Sequence, residues 1–187
     1  MSRKYKLRDD RKLYFVSFAT VYWIDVFSRK VYRDILLDSL AFCQQNKGME
    51  LYAYCIMTNH VHLIIGSEKT PLSGLMRDLK KFTSTAILKA IAENPEESRK
   101  EWMLWMFERA GKKNSNNTKY QFWQQDNHPI QLMTDAMVKQ KLAYLHNNPV
   151  EAGIVLSAEE YLYSSAKNYC GLKEHLLDVI LVEATQV

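Results

Sequence analysis

The spacing of apolar residues predicts a strand followed by a helix near the start of the chain. Residues 12–23 are rich in Val, Phe, Tyr and Thr, the residue types that strands favour. Across residues 28–46 the apolar positions recur at helical spacing, and Gly48 follows as a stop signal. The first two elements are therefore predicted to be a strand and a helix.

Two apolar segments of strand length follow, at residues 49–57 and 60–66. Only Thr58 and Asn59 separate them, and so short a connection predicts an antiparallel hairpin. Residues 71–94 then open with proline and carry apolar residues along one helical face, which predicts a long amphipathic helix.

A further strand is predicted at residues 120–125 and a further helix at residues 134–146. Up to that last helix the order is strand, helix, strand, strand, helix, strand, which is the pattern of a ferredoxin-like fold. We therefore predict an α+β fold of the β-α-β-β-α-β type. Its antiparallel sheet has helices on one face and an open opposite face, and a C-terminal helix and tail are added to it.

Length and composition fit a single domain. The chain has 187 residues, 47% of them hydrophobic and 12% aromatic, which is enough to bury a sizeable core. We predict one domain over residues 1–187, with a basic arm at 1–12 and an apolar-rich tail at 172–187 that packs across the domain or onto a partner. No apolar run approaches the roughly 18 residues that span a membrane, and the N-terminus is too hydrophilic for a signal peptide. We therefore expect a cytoplasmic protein with no membrane partner.

Positive charge is unevenly distributed along the chain. The formal net charge is only +4, yet the first twelve residues hold six Lys or Arg against two Asp. Residues 109–120 hold four Lys or Arg and no acidic residue. Such clusters suit a nucleic-acid backbone, although solvated surface segments have the same composition.

Two histidines lie one residue apart inside the predicted strand at 60–66. Because residues two apart share a face of a strand, His60 and His62 lie side by side, while Val61, Leu63 and Ile65 form the other, apolar face. Two neutral imidazoles at that spacing are able to grip one metal ion. In the alternative interpretation His60 belongs to the preceding turn and His62 is a single half-exposed strand histidine.

A tyrosine and an asparagine near residue 146 supply complementary chemistry. On a helix, Tyr144 and Asn148 lie on one face about one turn apart. A tyrosine hydroxyl beside a metal-activated phosphodiester can attack phosphorus, and an asparagine carbonyl can serve as a third ligand to Mg²⁺ or Mn²⁺. Alternatively Asn148 is an N-cap, with Pro149 in the first turn and Glu151 closing a capping box, and Tyr144 is a packing residue.

Four ordered segments resemble those of the IS200/IS605-like transposases that use one catalytic tyrosine, and especially their REP-associated relatives. The segments are MTNHVHLII at 57–65, FWQQDNHPIQL at 122–132, YLHNNPVEAGIV at 144–155 and EEYLYSSAKNY at 159–169. Together with the first strand they span most of the chain.

The resemblance implies roles for the residues of these motifs. His60 and His62 would hold a divalent cation, Mg²⁺ or Mn²⁺, and Tyr144 would be the nucleophile. Asn148 would be the third ligand, although the insertion-sequence enzymes carry glutamine there, and His146 or Asn147 are the alternatives. The implied function is that of an HUH-type tyrosine transposase, which nicks and rejoins hairpin-associated single-stranded DNA through a 5′-phosphotyrosine intermediate.

Hairpin DNA is the partner that the resemblance implies, bound by a monomer or a homodimer. We expect DNA contacts at Arg77, Lys80, Lys81, Lys112, Lys113, Lys119 and Trp123, the last by base stacking. Three alternatives remain open: a non-catalytic nucleic-acid-binding module that stacks bases on Tyr52 and Tyr54, a metal phosphoesterase that uses water, and a domesticated protein that keeps the motifs but has lost the activity. Trp102 and Trp105 are predicted to be packing residues.

Overall fold

A four-stranded antiparallel sheet lies at the centre of the computed structural model, which describes residues 12–67, 69–114 and 119–182. Its strands lie in the order β2, β3, β1, β4, and every neighbouring pair is antiparallel. The strands are β1 (Tyr14–Ala19), β2 (Met49–Ile56), β3 (His60–Ser67) and β4 (Ile130–Gln131). The predicted α+β class and antiparallel sheet are confirmed.

Five α-helices are present in the described part of the chain. They are α1 (Lys30–Lys47), α2 (Leu72–Glu93), α3 (Lys100–Lys112), α4 (Asp135–Glu151) and α5 (Ala166–Tyr169). Helix α1 packs against α2, and α3 packs against α2. Across these residues, each helix is too short or too polar to cross a lipid bilayer.

The two faces of the sheet are covered by different helices. Val61 and Leu63 are fully buried, and Phe18 beside them is approached by the ammonium of Lys80, which places α2 on that face. The opposite face carries His62, and α4 lies across it because the Tyr144 ring contacts His62. The prediction that the histidine face is open was therefore wrong.

The prediction of a strand at residues 120–125 was also wrong. Phe122 and Trp123 are adjacent, and yet both are buried and their rings pack against one another, whereas a strand would turn them to opposite faces. The segment makes only an isolated bridge between Trp123 and Thr20. The sheet edge is formed instead by β4, which pairs with the start of β1.

The C-terminal segment covers the outer edge of β2. Its backbone bonds to the strand through Ile56 N–H donating to the Tyr163 carbonyl at 2.9 Å and Ser165 N–H donating to the Tyr54 carbonyl at 2.9 Å. Further along, Ile180 N–H donates to the Leu51 carbonyl at 2.9 Å. The tail therefore packs across the domain as far as residue 182, and its last five residues, like the basic arm up to residue 11, lie outside the described residues.

Two glycines provide a matched test of this packing. An added Cβ on Gly111 would overlap the Lys119 carbonyl oxygen and lie 2.8 Å from its carbon, whereas one on Gly74 in α2 would meet nothing within 4 Å. We predict that Gly111→Ala lowers the free energy of unfolding by about 1–3 kcal/mol. Gly74→Ala should raise it by up to about 1 kcal/mol, because alanine favours the helix. Urea unfolding curves measure both, and equal midpoints for the two variants would contradict the packing described here.

Candidate active site

The two histidines of β3 lie side by side, as their spacing predicts. Their ring centroids are 4.8 Å apart and the rings are nearly perpendicular, at 77°. The β1–β3 register places Ser17 opposite His62, and Phe15 on the same face stacks on the His62 ring at 5.4 Å. With only 4% of its surface exposed, His62 is buried rather than half-exposed.

Hydrogen bonds with two asparagines orient the imidazoles. The Asn59 Oδ1 atom lies 2.7 Å from His60 Nδ1 and can accept its proton, which assigns the lone pair of His60 to Nε2. Asn148 Nδ2 lies 3.3 Å from His62 Nε2 and can donate to it. His62 Nδ1 is buried and has no hydrogen-bond partner among the described residues.

Burial keeps both imidazoles neutral. Desolvation lowers the pKa of His60, partly opposed by its hydrogen bond with Asn148. Desolvation lowers the pKa of His62 to about 3, reinforced by its unfavourable electrostatic interactions with His60 and with the Lys141 ammonium. Neutral imidazole is the form that binds a metal ion, so the electrostatics of the site suit that role.

Helix α4 brings the tyrosine and the asparagine to the histidines. Thr134 caps its start, because its side chain accepts a hydrogen bond from the Met137 N–H, and the helix continues from Asp135 through Pro149 to Glu151. Pro149 lacks the N–H that would donate to the Leu145 carbonyl, and the helix ends two residues later. Asn148 is therefore inside the helix, and its interpretation as an N-cap was wrong.

Tyr144 stands at the rim of the site. Its side chain is 42% exposed, and its ring centroid lies 5.4 Å from that of His62 and 5.9 Å from that of Phe15. Because Asn148 follows one turn later and touches His62, the phenol and the amide face the histidines together. A tyrosine that contacts one histidine of the pair while remaining open to solvent is placed to meet a substrate.

The alternative third ligands point elsewhere. His146 Nε2 lies 2.9 Å from Ser165 Oγ, and burial lowers the pKa of its imidazole to about 4. Asn147 donates to the Glu151 carboxylate at 3.1 Å. The geometry therefore favours Asn148, which contacts the histidine pair.

Phe15, Trp23 and Lys141 were not predicted to belong to the site. The Lys141 ammonium lies 5.0 Å from the Phe15 ring centroid and 5.3 Å from that of Tyr144. Its position three residues before Tyr144 on a helix was a signal that could have identified it. Phe15 and Trp23, whose ring lies 5.8 Å from that of His60, become visible only when β1 is paired with β3.

Two residues predicted to bind DNA are used inside the protein instead. Trp123 is buried, and its indole N–H donates to Thr83 Oγ1 at 3.1 Å, so no base can stack on it. The Lys80 ammonium donates to the Gln124 carbonyl at 2.8 Å and to Asn127 Oδ1 at 2.7 Å. Burial lowers the pKa of Lys80 to about 8. Both assignments are corrected, because the two side chains support the segment at residues 122–127.

The other predicted DNA contacts are exposed and remain predictions: Arg77, Lys81, Lys112, Lys113 and Lys119. Two backbone hydrogen bonds connect helix α3 to the end of β1 that lies near the histidines. Gln121 N–H donates to the Phe107 carbonyl of α3, and Val21 N–H donates to the Phe122 carbonyl.

The prediction that Trp102 and Trp105 are packing residues was wrong. They are 48% and 55% exposed. Helix α3 packs through another of its faces, which carries the buried residues Met103, Phe107 and Ala110. The two indoles therefore lie on the surface of the protein.

The donor atoms present fit a divalent cation of the Mg²⁺ or Mn²⁺ type. In the described part of the chain no cluster of three or more His, Cys, Asp or Glu residues is placed to hold a metal. The candidate site therefore depends on two neutral imidazoles and an amide oxygen, which Asn148 would provide by turning its side-chain amide over. Such a set leaves positions open for a phosphate and water.

Comparison with known proteins gives the chain a family. The solved structure of a REP-associated tyrosine transposase bound to a REP hairpin is 14% identical, and the match covers 99% of this chain and 96% of that one with a TM-score of 0.66. A putative transposase from Deinococcus radiodurans R1 is 20% identical over 78% of this chain and 97% of its own, with a TM-score of 0.44. No curated protein matches the sequence.

The first of these structures shares the fold of this chain. The family model for IS200-like transposases matches residues 12–119, a range that includes both site histidines and ends before Tyr144. That range covers more than half of the 187 residues. The chain belongs to the IS200-like transposase family.

Proposed function

We propose that this transposase cuts and rejoins single-stranded DNA by transesterification, with Tyr144 as the nucleophile. The observation that carries the proposal is the contact of α4 with β3, where Tyr144 and Asn148 meet the buried His62, whose ring lies beside that of His60. A nucleophile beside a site for a divalent cation is the arrangement that phosphodiester chemistry requires.

The reaction exchanges the bond between phosphorus and the 3′ oxygen for a bond between phosphorus and the Tyr144 oxygen. The phenolic oxygen of Tyr144 attacks phosphorus and loses its proton, and the bond from phosphorus to the 3′ oxygen breaks. The 3′ oxygen takes up a proton and leaves as a hydroxyl, while the 5′ phosphate stays on the tyrosine. Attack by a 3′-hydroxyl on the phosphotyrosine reverses the step and joins new ends, so no nucleotide hydrolysis is needed.

The chain's own residues hold the reacting groups. His60, His62 and Asn148 would hold the divalent cation, which offsets negative charge on the scissile phosphate when bound. Phe15 fixes the His62 ring by stacking. The ammonium of Lys141, 5.3 Å from the Tyr144 ring centroid, places a positive charge next to the phenol and would attract the negatively charged DNA strand.

We propose a hairpin as the DNA partner, by analogy with the structurally similar transposase that is bound to a REP hairpin. The exposed residues Lys112, Lys113 and Lys119 would contact phosphates from the end of α3. The basic arm would lie along the duplex stem.

The rival functions are less well supported. Tyr54 is fully buried, so the pair Tyr52 and Tyr54 offers no stacking platform to a nucleic-acid-binding module. A phosphoesterase that uses water would have no need for a half-exposed phenol at the histidine pair. The position of Tyr144 favours the covalent mechanism.

The covalent step has a direct test. Protein incubated with Mn²⁺ and labelled hairpins from the DNA that flanks its own gene should form a denaturant-resistant adduct, which mass spectrometry should locate on Tyr144. Tyr144→Phe should form no adduct and still bind the hairpin, because only the hydroxyl is removed. Tyr22→Phe, which alters an exposed tyrosine outside the histidine pair, is the control. Cleavage that persists in Tyr144→Phe would contradict the mechanism.

Metal binding can be measured without DNA. Calorimetric titration with Mn²⁺ should show one ion per chain, and His62→Ala should weaken binding by more than about tenfold. Asn148→Ala should weaken it less, since both imidazoles remain to hold the ion. The control is His175→Ala, which alters a partly buried histidine paired with Asp178 in the tail and should bind as the natural chain does. Equal affinities for His62→Ala and His175→Ala would remove the histidine pair from the metal site.

The basic arm has its own prediction. Deleting residues 1–11 removes five of the six Lys and Arg in the first twelve positions. Hairpin affinity should fall, and the dependence of log K on log salt should flatten by about 0.7–0.9 for each phosphate that the arm neutralises. Fluorescence anisotropy at several salt concentrations measures the slope, and an unchanged slope would show that the arm touches no phosphate.

A further inference from the structure

A turn next to the histidine pair presents two exposed aromatic side chains. Residues Val21–Trp23 form a single 3-10 turn one residue after the end of β1. Tyr22 and Trp23 both have a positive φ, of 56°, in the left-handed region that bulky residues rarely adopt. Their side chains are 44% and 58% exposed.

Hydrogen bonds hold this turn against the active site. Trp23 N–H donates to the Thr20 carbonyl at 3.1 Å, and Thr20 Oγ1 donates to the Ile24 carbonyl at 2.8 Å. The Asn59 side chain connects the turn to the histidines, because its Nδ2 donates to the Trp23 carbonyl at 3.3 Å and its Oδ1 accepts from His60 Nδ1 at 2.7 Å.

The unusual backbone of the turn serves no evident packing purpose. The neighbouring residues Val21 and Ile24 supply the buried side chains, whereas Trp23 leaves more than half of its surface in solvent. Its contact with the site is to His60, whose ring centroid lies 5.8 Å away at 74°. Strained backbone that persists beside a reactive site is typical of ligand-binding positions.

We propose that Trp23 is a stacking site for an unpaired nucleobase, next to the phosphate that the histidine pair holds. An indole offers a large aromatic face on which any base can stack, and single-stranded DNA near a cleaved phosphate has unstacked bases to offer. Asn59 fixes the turn that carries Trp23 and also bonds to His60, so the base and the phosphate would be positioned together. This inference rests on the proposed function, and it adds the site that orients the strand.

The test separates base stacking from phosphate contacts. The probes are two labelled strands of equal length and charge, an oligothymidylate 16-mer and an abasic 16-mer, bound in EDTA so that neither metal nor cleavage contributes. Because the two strands carry the same charge, the ratio of their affinities reports the contribution of the bases. For the natural chain the thymidylate strand should bind about 5- to 100-fold more tightly.

Three variants identify the residue responsible. Trp23→Gly removes the ring and suits the positive φ, so it should fold normally and reduce the ratio by at least about fivefold, with the affinity for the abasic strand unchanged. Trp23→Phe should retain most of the ratio. Trp102→Ala, at a similarly exposed tryptophan on α3, should leave the ratio unchanged.

Each result has a distinct meaning. A ratio near one in the natural chain, or a ratio that Trp23→Gly does not change, overturns the stacking site even if the Tyr144 adduct forms. A ratio that depends on Trp23, in a chain that forms no adduct, supports the stacking site and refutes the proposed chemistry. A loss of affinity for both probes in Trp23→Gly would show that the turn supports the fold and not a base, which also overturns the inference.

Discussion

The candidate site depends on two neutral imidazoles on one face of β3, next to α4: His62 is buried and His60 is partly buried. Burial lowers the pKa of both rings and so preserves the lone pairs that a cation needs. It also has a cost, since a buried polar atom without a partner, such as His62 Nδ1, is unfavourable by about 1–3 kcal/mol. The fully buried residues on the other face of β3, Val61 and Leu63, show how firmly this strand is anchored in the core.

The C-terminal part of the chain fixes α4 over that face. Ser165 connects three elements through its side chain, because its Oγ accepts from the Tyr54 N–H at 3.0 Å and lies 2.9 Å from His146 Nε2. Tyr161 adds a hydrogen bond from its hydroxyl to the Ile56 carbonyl at 2.8 Å. The segment after the tyrosine helix therefore closes the edge of β2 and also holds the helix that carries Tyr144.

The parts of the structure that depend on local periodicity could be predicted from the sequence. Strand alternation placed His60 beside His62, and helical spacing placed Tyr144 one turn from Asn148. Pro149 was misleading, because it favoured the interpretation of Asn148 as an N-cap, whereas α4 continues through Pro149 to Glu151. A local pattern does not contain that information.

The parts that depend on long-range packing could not be predicted. Whether Trp123 faces solvent is decided by Phe18 and Phe27, which lie about a hundred positions earlier and enclose its ring. The covering of the histidine face by α4 and the left-handed turn at Trp23 likewise arise from contacts between distant segments.

The most direct test of the proposed metal site is pulsed electron paramagnetic resonance of the protein with one equivalent of Mn²⁺. We predict echo modulation from two imidazole nitrogens, reduced to one in either His60→Ala or His62→Ala. Mn²⁺ that shows only water ligands, or a nitrogen signal that both substitutions leave unchanged, would contradict the claim that the two histidines of β3 hold one cation beside Tyr144.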